Sequence, residues 1–256
     1  EAPFGGIATL GYFRLHRKAL ERDVTVLLEG QGGDELLAGY RYFETPFHLD
    51  LLKAGQKARL RSEIRASHAL GGPSPHDAMA ALRALQAAEE AGQSGPARYQ
   101  DGSSHLRTDL LHPEWVERAG AHPQFAQPWP DHLRNALHRD LRHTKLPRVL
   151  RMNDRLSMAH SRELREPYLD HRMVEFCLGL PSGQRIRNGW AKELMRRAAA
   201  RRIPETLVRT PKRAIVTPQR EWLRGPLRPA IEALLKDGAF ADRGIFRAEE
   251  CRDAFD

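Results

Sequence analysis

Val24-Thr25-Val26-Leu27-Leu28, then Glu29-Gly30-Gln31-Gly32-Gly33-Asp34-Glu35, then Leu36-Leu37-Ala38-Gly39-Tyr40 is the stretch that decides the fold. Its first five residues form a short apolar run with β-branched side chains, the pattern of a strand buried on both faces in a parallel sheet. Helical character resumes at Leu36, so the order is strand, glycine loop, helix, and it predicts an α/β fold. Three glycines let the backbone take positive φ and approach a ligand closely, and the next helix aims its positive dipole end at the same space. Anions fit there. Asp34 and Glu35 would repel a bare phosphate, so the loop makes better sense with a Mg²⁺ ion between them and the phosphates, Asp34 being the candidate ligand. A solvated turn with an acidic helix start is the competing reading, because a glycine-rich loop alone has low specificity.

Upstream, residues 11–22 read as a helix with Phe13, Leu15, Ala19 and Leu20 apolar among basic residues. Downstream, residues 44–145 are rich in Ala, Leu and Arg, with breaks at Gly71-Gly72-Pro73-Ser74-Pro75 and Gly92-Gln93-Ser94-Gly95-Pro96, and read as a helical linker or insertion. Residues 115–130 hold Trp115, Phe125 and Trp129 among prolines and suggest a loop packed on its own aromatics. Residues 150–164 read as a helix, 167–170 as a turn, and 172–180 and 192–202 as further helices that stop at prolines. The chain is expected to divide into residues 1–43, part of a nucleotide-binding core; 44–145, a variable helical insertion; and 146–256, a helical segment that completes the site.

The 256 residues are 41 % hydrophobic, enough for a core, and their formal charge of +8 favours anionic partners without choosing among them. Cys177 and Cys251 form neither a CxxC pair nor a disulfide framework, which points to a reducing cytoplasm. No apolar run reaches the roughly 20 residues of a membrane span, and the start, Glu1-Ala2-Pro3-Phe4, has no signal-like core. Without an initiating Met, the chain is expected to begin inside a longer reading frame. The twelve histidines have no HxxxH or HExxH spacing and read as surface or loop residues. A nucleic-acid module is disfavoured, because aromatic stacking patterns, zinc-finger spacing and a dense basic stripe are all missing.

The wider string Leu27-Leu28-Glu29-Gly30-Gln31-Gly32-Gly33-Asp34-Glu35-Leu36-Leu37-Ala38-Gly39-Tyr40-Arg41-Tyr42-Phe43 closely resembles the second nucleotide-site loop of asparagine synthases. The segment from Leu150-Arg151-Met152-Asn153-Asp154-Arg155 through Glu163-Leu164-Arg165-Glu166-Pro167-Tyr168-Leu169-Asp170 resembles the family's second signature, in the right order. Lys192, Ile203-Pro204 and Arg209-Thr210-Pro211-Lys212 look like its closing segment. The resemblance covers residues 1–43 and 146–223. It implies an adenine-nucleotide α-hydrolase (PP-loop ATP pyrophosphatase) fold, mostly helical and incomplete in this segment, that cleaves ATP between the α and β phosphates. A substrate carboxylate attacks the α-phosphate, pyrophosphate leaves, and ammonia displaces AMP from the acyl-adenylate. For aspartate the product is asparagine.

By this resemblance Gly30, Gly32, Gly33, Asp34, Glu35 and Lys192 bind ATP, and Asp34 takes the Mg²⁺. Lys212 would stabilise charge on the transferring phosphoryl group. Gln31 stands where relatives often carry an acidic or other polar residue and is expected to orient substrate or ammonia. Arg151, Asp154, Arg155, Glu163 and Arg165 alternate in sign along one expected helix, which also suits plain ion pairing. Asp154 and Arg155 are placed nearer the substrate, with Arg155 or Arg151 able to grip a carboxylate, while Glu163 and Arg165 are open to structural or catalytic roles.

Two departures matter. The SGGxDS pyrophosphate loop and the amino-terminal glutaminase domain, with its cysteine nucleophile at residue 1, are not in the sequence, where Glu1 stands. The segment alone is therefore expected to be inactive and to need that missing portion as a partner. A homodimer is a further candidate assembly. The same motifs also suit an amidotransferase or cyclase acting on another carboxylate, of the β-lactam or lasso-peptide type, and a non-catalytic partner-binding remnant is the alternative of a different class.

Overall fold

The computed structural model describes residues 7–92, 107–119, 125–212 and 217–255. Helix α1 (Ala8–Glu21) turns through Asp23, at φ 55°, into strand β1 (Val26–Leu28), and the glycine loop gives way to the single turn α2 (Gly33–Leu36). Next come α3 (Glu44–Lys53), α4 (Lys57–Ala69), α5 (Pro75–Glu90), α6 (Pro113–Ala119), α7 (His132–Arg142) and α8 (Leu146–Met158). Then follow β2 (Glu163–Arg165), α9 (His171–Gly179), the hairpin of β3 (Ile186–Arg187) and β4 (Trp190–Ala191), and α10 (Glu193–Ala199). The short helices α11 (Glu205–Val208), α12 (Gln219–Arg224), α13 (Arg228–Lys236), α14 (Gly238–Asp242) and α15 (Ala248–Phe255) close the chain.

The fold is thus mostly helical, with a parallel pair of strands at its centre of interest. β1 and β2 pair in the register Val26↔Glu163, Leu27↔Leu164, Leu28↔Arg165, and the Glu29 N–H extends the ladder to the Arg165 carbonyl. β2 corrects the helix expected over residues 150–164. α8 stops at Met158, Ser161 takes φ 52°, and the chain leaves extended because Glu163-Leu164-Arg165 alternates polar and apolar, a period of 2. Glu163 and Arg165 therefore do not share a helix with Asp154 and Arg155. β1 is also shorter than the run 24–28 and is not buried on both faces: Val24 is exposed and Leu28 is 71 % exposed, since β2 is its single partner among the described residues.

The main core lies in the stretch that reads as an insertion. Phe47, Leu49 and Leu51 pack against Leu60 and Ile64 of α4, Leu82 of α5, and Leu133 and Leu137 of α7, with Ala38, Phe43 and Ile186 joining from outside it. Local signals place these helices. Ser74 caps α5 ahead of Pro75, and Asp131 caps α7 through the Arg134 N–H. The Asp50 carboxylate reaches across from α3 to accept the His132 and Leu133 N–H groups at 2.7 and 3.0 Å, satisfying donors that α7 itself leaves open.

A second cluster, Leu36, Leu37, Leu141, Leu146 and Cys177, sits beneath the glycine loop. Fully buried Arg185 staples it: its guanidinium donates to the carbonyls of Leu36 at 3.2 Å, of Leu180 at 2.6 Å and of Cys177. Burial pulls its pKa down to about 10, still a cation at neutral pH.

The aromatics of residues 115–130 pack on other segments, not on one another. Trp115 lies in α6 and donates from Nε1 to the Gly244 carbonyl at 2.8 Å, Phe125 stacks on His143, and Trp129 meets His138 edge-on. Residues 120–124, and 93–96 of the second glycine-proline break, lie outside the described residues. Nor are all histidines superficial, for His16 and His48 are buried. No helix among the described residues is long and apolar enough to cross a membrane.

Candidate functional site

The glycine loop lies at the carboxyl end of β1, beside the corresponding end of β2, where ligands of parallel α/β sheets bind. Gly32 holds φ 87°, and a Cβ there would stand 2.3 Å from Leu169 Cδ2, so glycine is required by both backbone and neighbour. The Gln31 N–H donates to Glu166 Oε2 at 3.3 Å, fixing the loop crest to the end of β2. Register sets Glu29 and Glu166 side by side, and Asn153 of α8, fully buried, donates from Nδ2 to Glu29 Oε2 at 2.8 Å. Burial, then Glu29, pushes the Glu166 carboxyl above its usual range. α2 is one turn long, because Ala38 reverses into the left-handed region at φ 56°. The dipole expected of a helix starting at the loop is correspondingly small.

Asp34 carries the centre of the site. Its Oδ1 lies 2.7 Å from Lys192 Nζ and 2.8 Å from Lys212 Nζ. Both contacts are ion pairs on the same carboxylate oxygen. Burial pushes the Asp34 carboxyl up, but Lys192 and then Lys212 outweigh it and hold the group below its ordinary pKa.

The hairpin explains how Lys192 arrives there. Asn188 and Gly189, at φ 52° and 73°, make the two-residue turn that reverses β3 into β4. The Lys192 N–H then donates to the Leu37 carbonyl at 3.1 Å, next to the loop. Lys192 itself is the N-cap of α10, at φ 55°, and not a residue inside a helix as its sequence context suggests. Gly39 leaves room for the clamp, since a Cβ on it would stand 1.7 Å from Asp34 Oδ1.

Glu35, the neighbour of Asp34, is buried and accepts from the Tyr40 hydroxyl at 2.9 Å. Burial pushes its carboxyl up. Tyr40 stacks on Tyr42, whose hydroxyl donates to Asp140 Oδ2 at 2.6 Å, and burial together with these carboxylates raises both phenols. Lys145 Nζ lies 3.4 Å from the Tyr40 ring centroid and Lys212 Nζ 4.1 Å from the same ring.

The structure therefore brings together Asp34, Glu35, Lys192 and Lys212, while Gln31 is placed at the loop crest by its backbone N–H on Glu166. It does not bring Asp154, Arg155 or Arg151 into that cluster, for these are exposed on α8. Glu163 and Arg165 are an exposed ion pair on β2, at 2.7 Å. Sequence reasoning missed Lys145, Tyr40 and Tyr42 as site residues. Lys145 precedes the Leu146-Pro147 helix start like any polar flank, and nothing in its neighbourhood announces a partner more than a hundred residues away. Among the described residues no three His, Cys, Asp or Glu side chains gather around a metal position. Of the loop carboxylates, Asp34 is the one that could hold a phosphate-borne cation, and its Oδ1 is engaged by Lys192 and Lys212.

The family model for asparagine synthase matches residues 1–256. A protein named asparagine synthetase (glutamine-hydrolyzing) from Mycobacterium tuberculosis H37Rv is 30 % identical over 228 residues, 88 % of this chain and 34 % of its own length. Asparagine synthetase (glutamine-hydrolyzing) 1 of Bacillus subtilis is 22 % identical over 242 residues, 86 % of this chain and 35 % of its own. The asparagine synthetase of Bos taurus is 36 % identical over 121 residues, 44 % of this chain and 21 % of its own. The chain thus spans about a third of the length of the first two.

Proposed function

Because this chain belongs to the asparagine synthase family, we propose that it forms the acceptor half of an ATP-dependent amide synthesis: a carboxylate is activated as an acyl-adenylate, pyrophosphate leaves, and ammonia displaces AMP. The substrate we assign is aspartate, with ammonia derived from glutamine by a portion outside this chain, and the fold we assign is the PP-loop ATP pyrophosphatase type. In this reading residues 1–43 belong to the nucleotide-binding core, 44–145 are a helical insertion and 146–256 complete the site.

The observation that carries the reading is the Asp34 clamp, with two ammonium groups within 2.8 Å of one carboxylate oxygen at the rim of a glycine loop. Such a clamp is a charge reservoir. When a polyphosphate enters, Lys192 and Lys212 can transfer their attraction to it; Asp34, so released, would be the residue to hold a Mg²⁺, which would supply positive charge against the phosphates. Gly30, Gly32 and Gly33 let the backbone come close to the ligand. Glu35, held by Tyr40, keeps the ring that supports Lys212 in place. Gln31 cannot act as a base, so its part is to orient. Arg155 or Arg151 can meet a carboxylate arriving from solvent above α8, with Asp154 and Glu163 as counter-charges at the periphery.

Pyrophosphate release by the whole protein, supplied with ATP, Mg²⁺, aspartate and glutamine, tests this. Release that depends on aspartate and yields AMP and asparagine is expected, and Lys212→Ala should lower kcat far more than it raises KM. Release with another carboxylate but not with aspartate would transfer the reading to a related amidotransferase or cyclase, and no release with any carboxylate would overturn it.

A further inference from the structure

The three lysines of the site differ in what they touch. Lys192 and Lys212 share Asp34, whereas Lys145, the residue that caps α8, has no carboxylate within ion-pair distance among the described residues. Its Nζ instead donates to the Tyr42 hydroxyl at 3.4 Å and rests against the Tyr40 ring. With Lys212 against the same ring, two ammonium groups lie close to one aromatic side chain and repel each other. The nearby acids are already engaged. Glu35 accepts from Tyr40, and Asp140 accepts from Tyr42 and Thr144 and lies 3.5 Å from Arg139. Burial pulls the Lys145 ammonium down, Glu35 and Asp140 pull it up, and Lys212 pulls it down again. A half-buried cation without a carboxylate of its own is costly until an anion joins it.

We infer that Lys145 contacts ligand directly and, with Lys212 and the Tyr40 ring that both ammonium groups approach, forms a subsite for a pyrophosphate-type polyanion. The inference deepens the nucleotide reading above and rests on it. A polyanion suits the place better than one carboxylate, because two ammonium groups gathered on a ring call for more than a single negative charge. The platform is also preorganised. Tyr40 is pinned by Glu35 at its hydroxyl and stacked on Tyr42 at 5.3 Å with the rings 10° apart, so the lysines need little ordering when the ligand arrives. ATP and free pyrophosphate share this chemistry.

Calorimetric titration of the whole protein with inorganic pyrophosphate, and separately with ATP, tests the assignment against Lys145→Met and Lys145→Arg. Loss of a charge-assisted contact should weaken binding by about 10- to 100-fold in Lys145→Met, and Lys145→Arg should recover most of it. Should Lys145→Met melt early, Lys145→Gln, which keeps a donor for Tyr42 without the charge, carries the same test. Weakening for both ligands supports a subsite for the diphosphate itself, and weakening for ATP alone supports one that reads phosphates still on the nucleotide. Unchanged affinity for both in a folded neutral variant overturns the inference and leaves the nucleotide reading standing. A wild-type protein that binds neither ligand overturns that reading, and the inference with it.

Discussion

Gly39→Ala separates the Asp34 clamp from the stability of the fold. A Cβ on Gly39 would stand 1.7 Å from Asp34 Oδ1 and 2.3 Å from Lys192 Cε, and neither approach is tolerable. Both obstacles are ends of flexible side chains, so Asp34 and Lys192 swing aside while the backbone stays. The ion pairs at 2.7 and 2.8 Å are then lost together. The side chains of Asp34, Lys192 and Lys212 are 23 %, 25 % and 34 % exposed, so solvent screens each pair to about 1 kcal/mol at most. The expected stability loss is about 1–2 kcal/mol, a fall in Tm of about 2–8 °C for a chain of this size. On the proposed function, activity should suffer far more, because misplaced charge at a phosphoryl-transfer site costs about 100-fold or more in kcat. Pyrophosphate release and thermal melts on the same preparation measure both quantities. A Gly39→Ala protein with normal kcat would refute the reasoning, and one that fails to fold would show that the substitution strains the backbone instead of the clamp.

Other perturbations test the frame of the site. Arg185→Met should cost about 3–5 kcal/mol in denaturant unfolding, since it strands the carbonyls of Leu36, Cys177 and Leu180 in the core; a loss under 1 kcal/mol would mean water replaces the guanidinium. His48 is buried and its pKa is lowered to about 4, so its contribution to stability is full above pH 6.5 and is lost as pH falls toward 4, by about 2–4 kcal/mol. A His48→Leu protein should show a flatter stability profile over that range in urea titrations, and an unchanged slope would contradict the assignment. His132 behaves oppositely: hydrogen bonding to Asp50, against partial burial, raises its pKa. Its contribution is therefore complete below pH 6.5 and fades as pH climbs through the raised value, a trend that His132→Gln should abolish in the same titrations.

How much of this was legible in the chain follows from the range of the forces involved. Local signals act over a few residues, and they were sufficient for a strand within 24–28, a glycine loop after it, a break at 71–75 and the general course of α1 and α9. The order of the glycine loop, the signature of residues 150–170 and Lys212 likewise carried the family, because a motif is a property of sequence order. The helix expected over 150–164 overran its end. Three residues of alternating polarity are too few to signal a strand on their own, and Glu163–Arg165 become β2 because β1 pairs with them.

The sequence by itself determined which residues carry charge and which turns need glycine; the tertiary structure alone decided which charges meet. Asp34 and Lys192 are separated by the whole helical core, and it is the hairpin turn at Asn188-Gly189, together with the space left by Gly39, that brings them to 2.7 Å. Lys145 and Tyr40 meet because α8 packs beneath the loop through Leu146 and Leu36, and no local preference encodes that contact. Ion pairs and cation–π contacts decay within a few ångströms, so they depend on atomic proximity that only the packing of distant segments supplies.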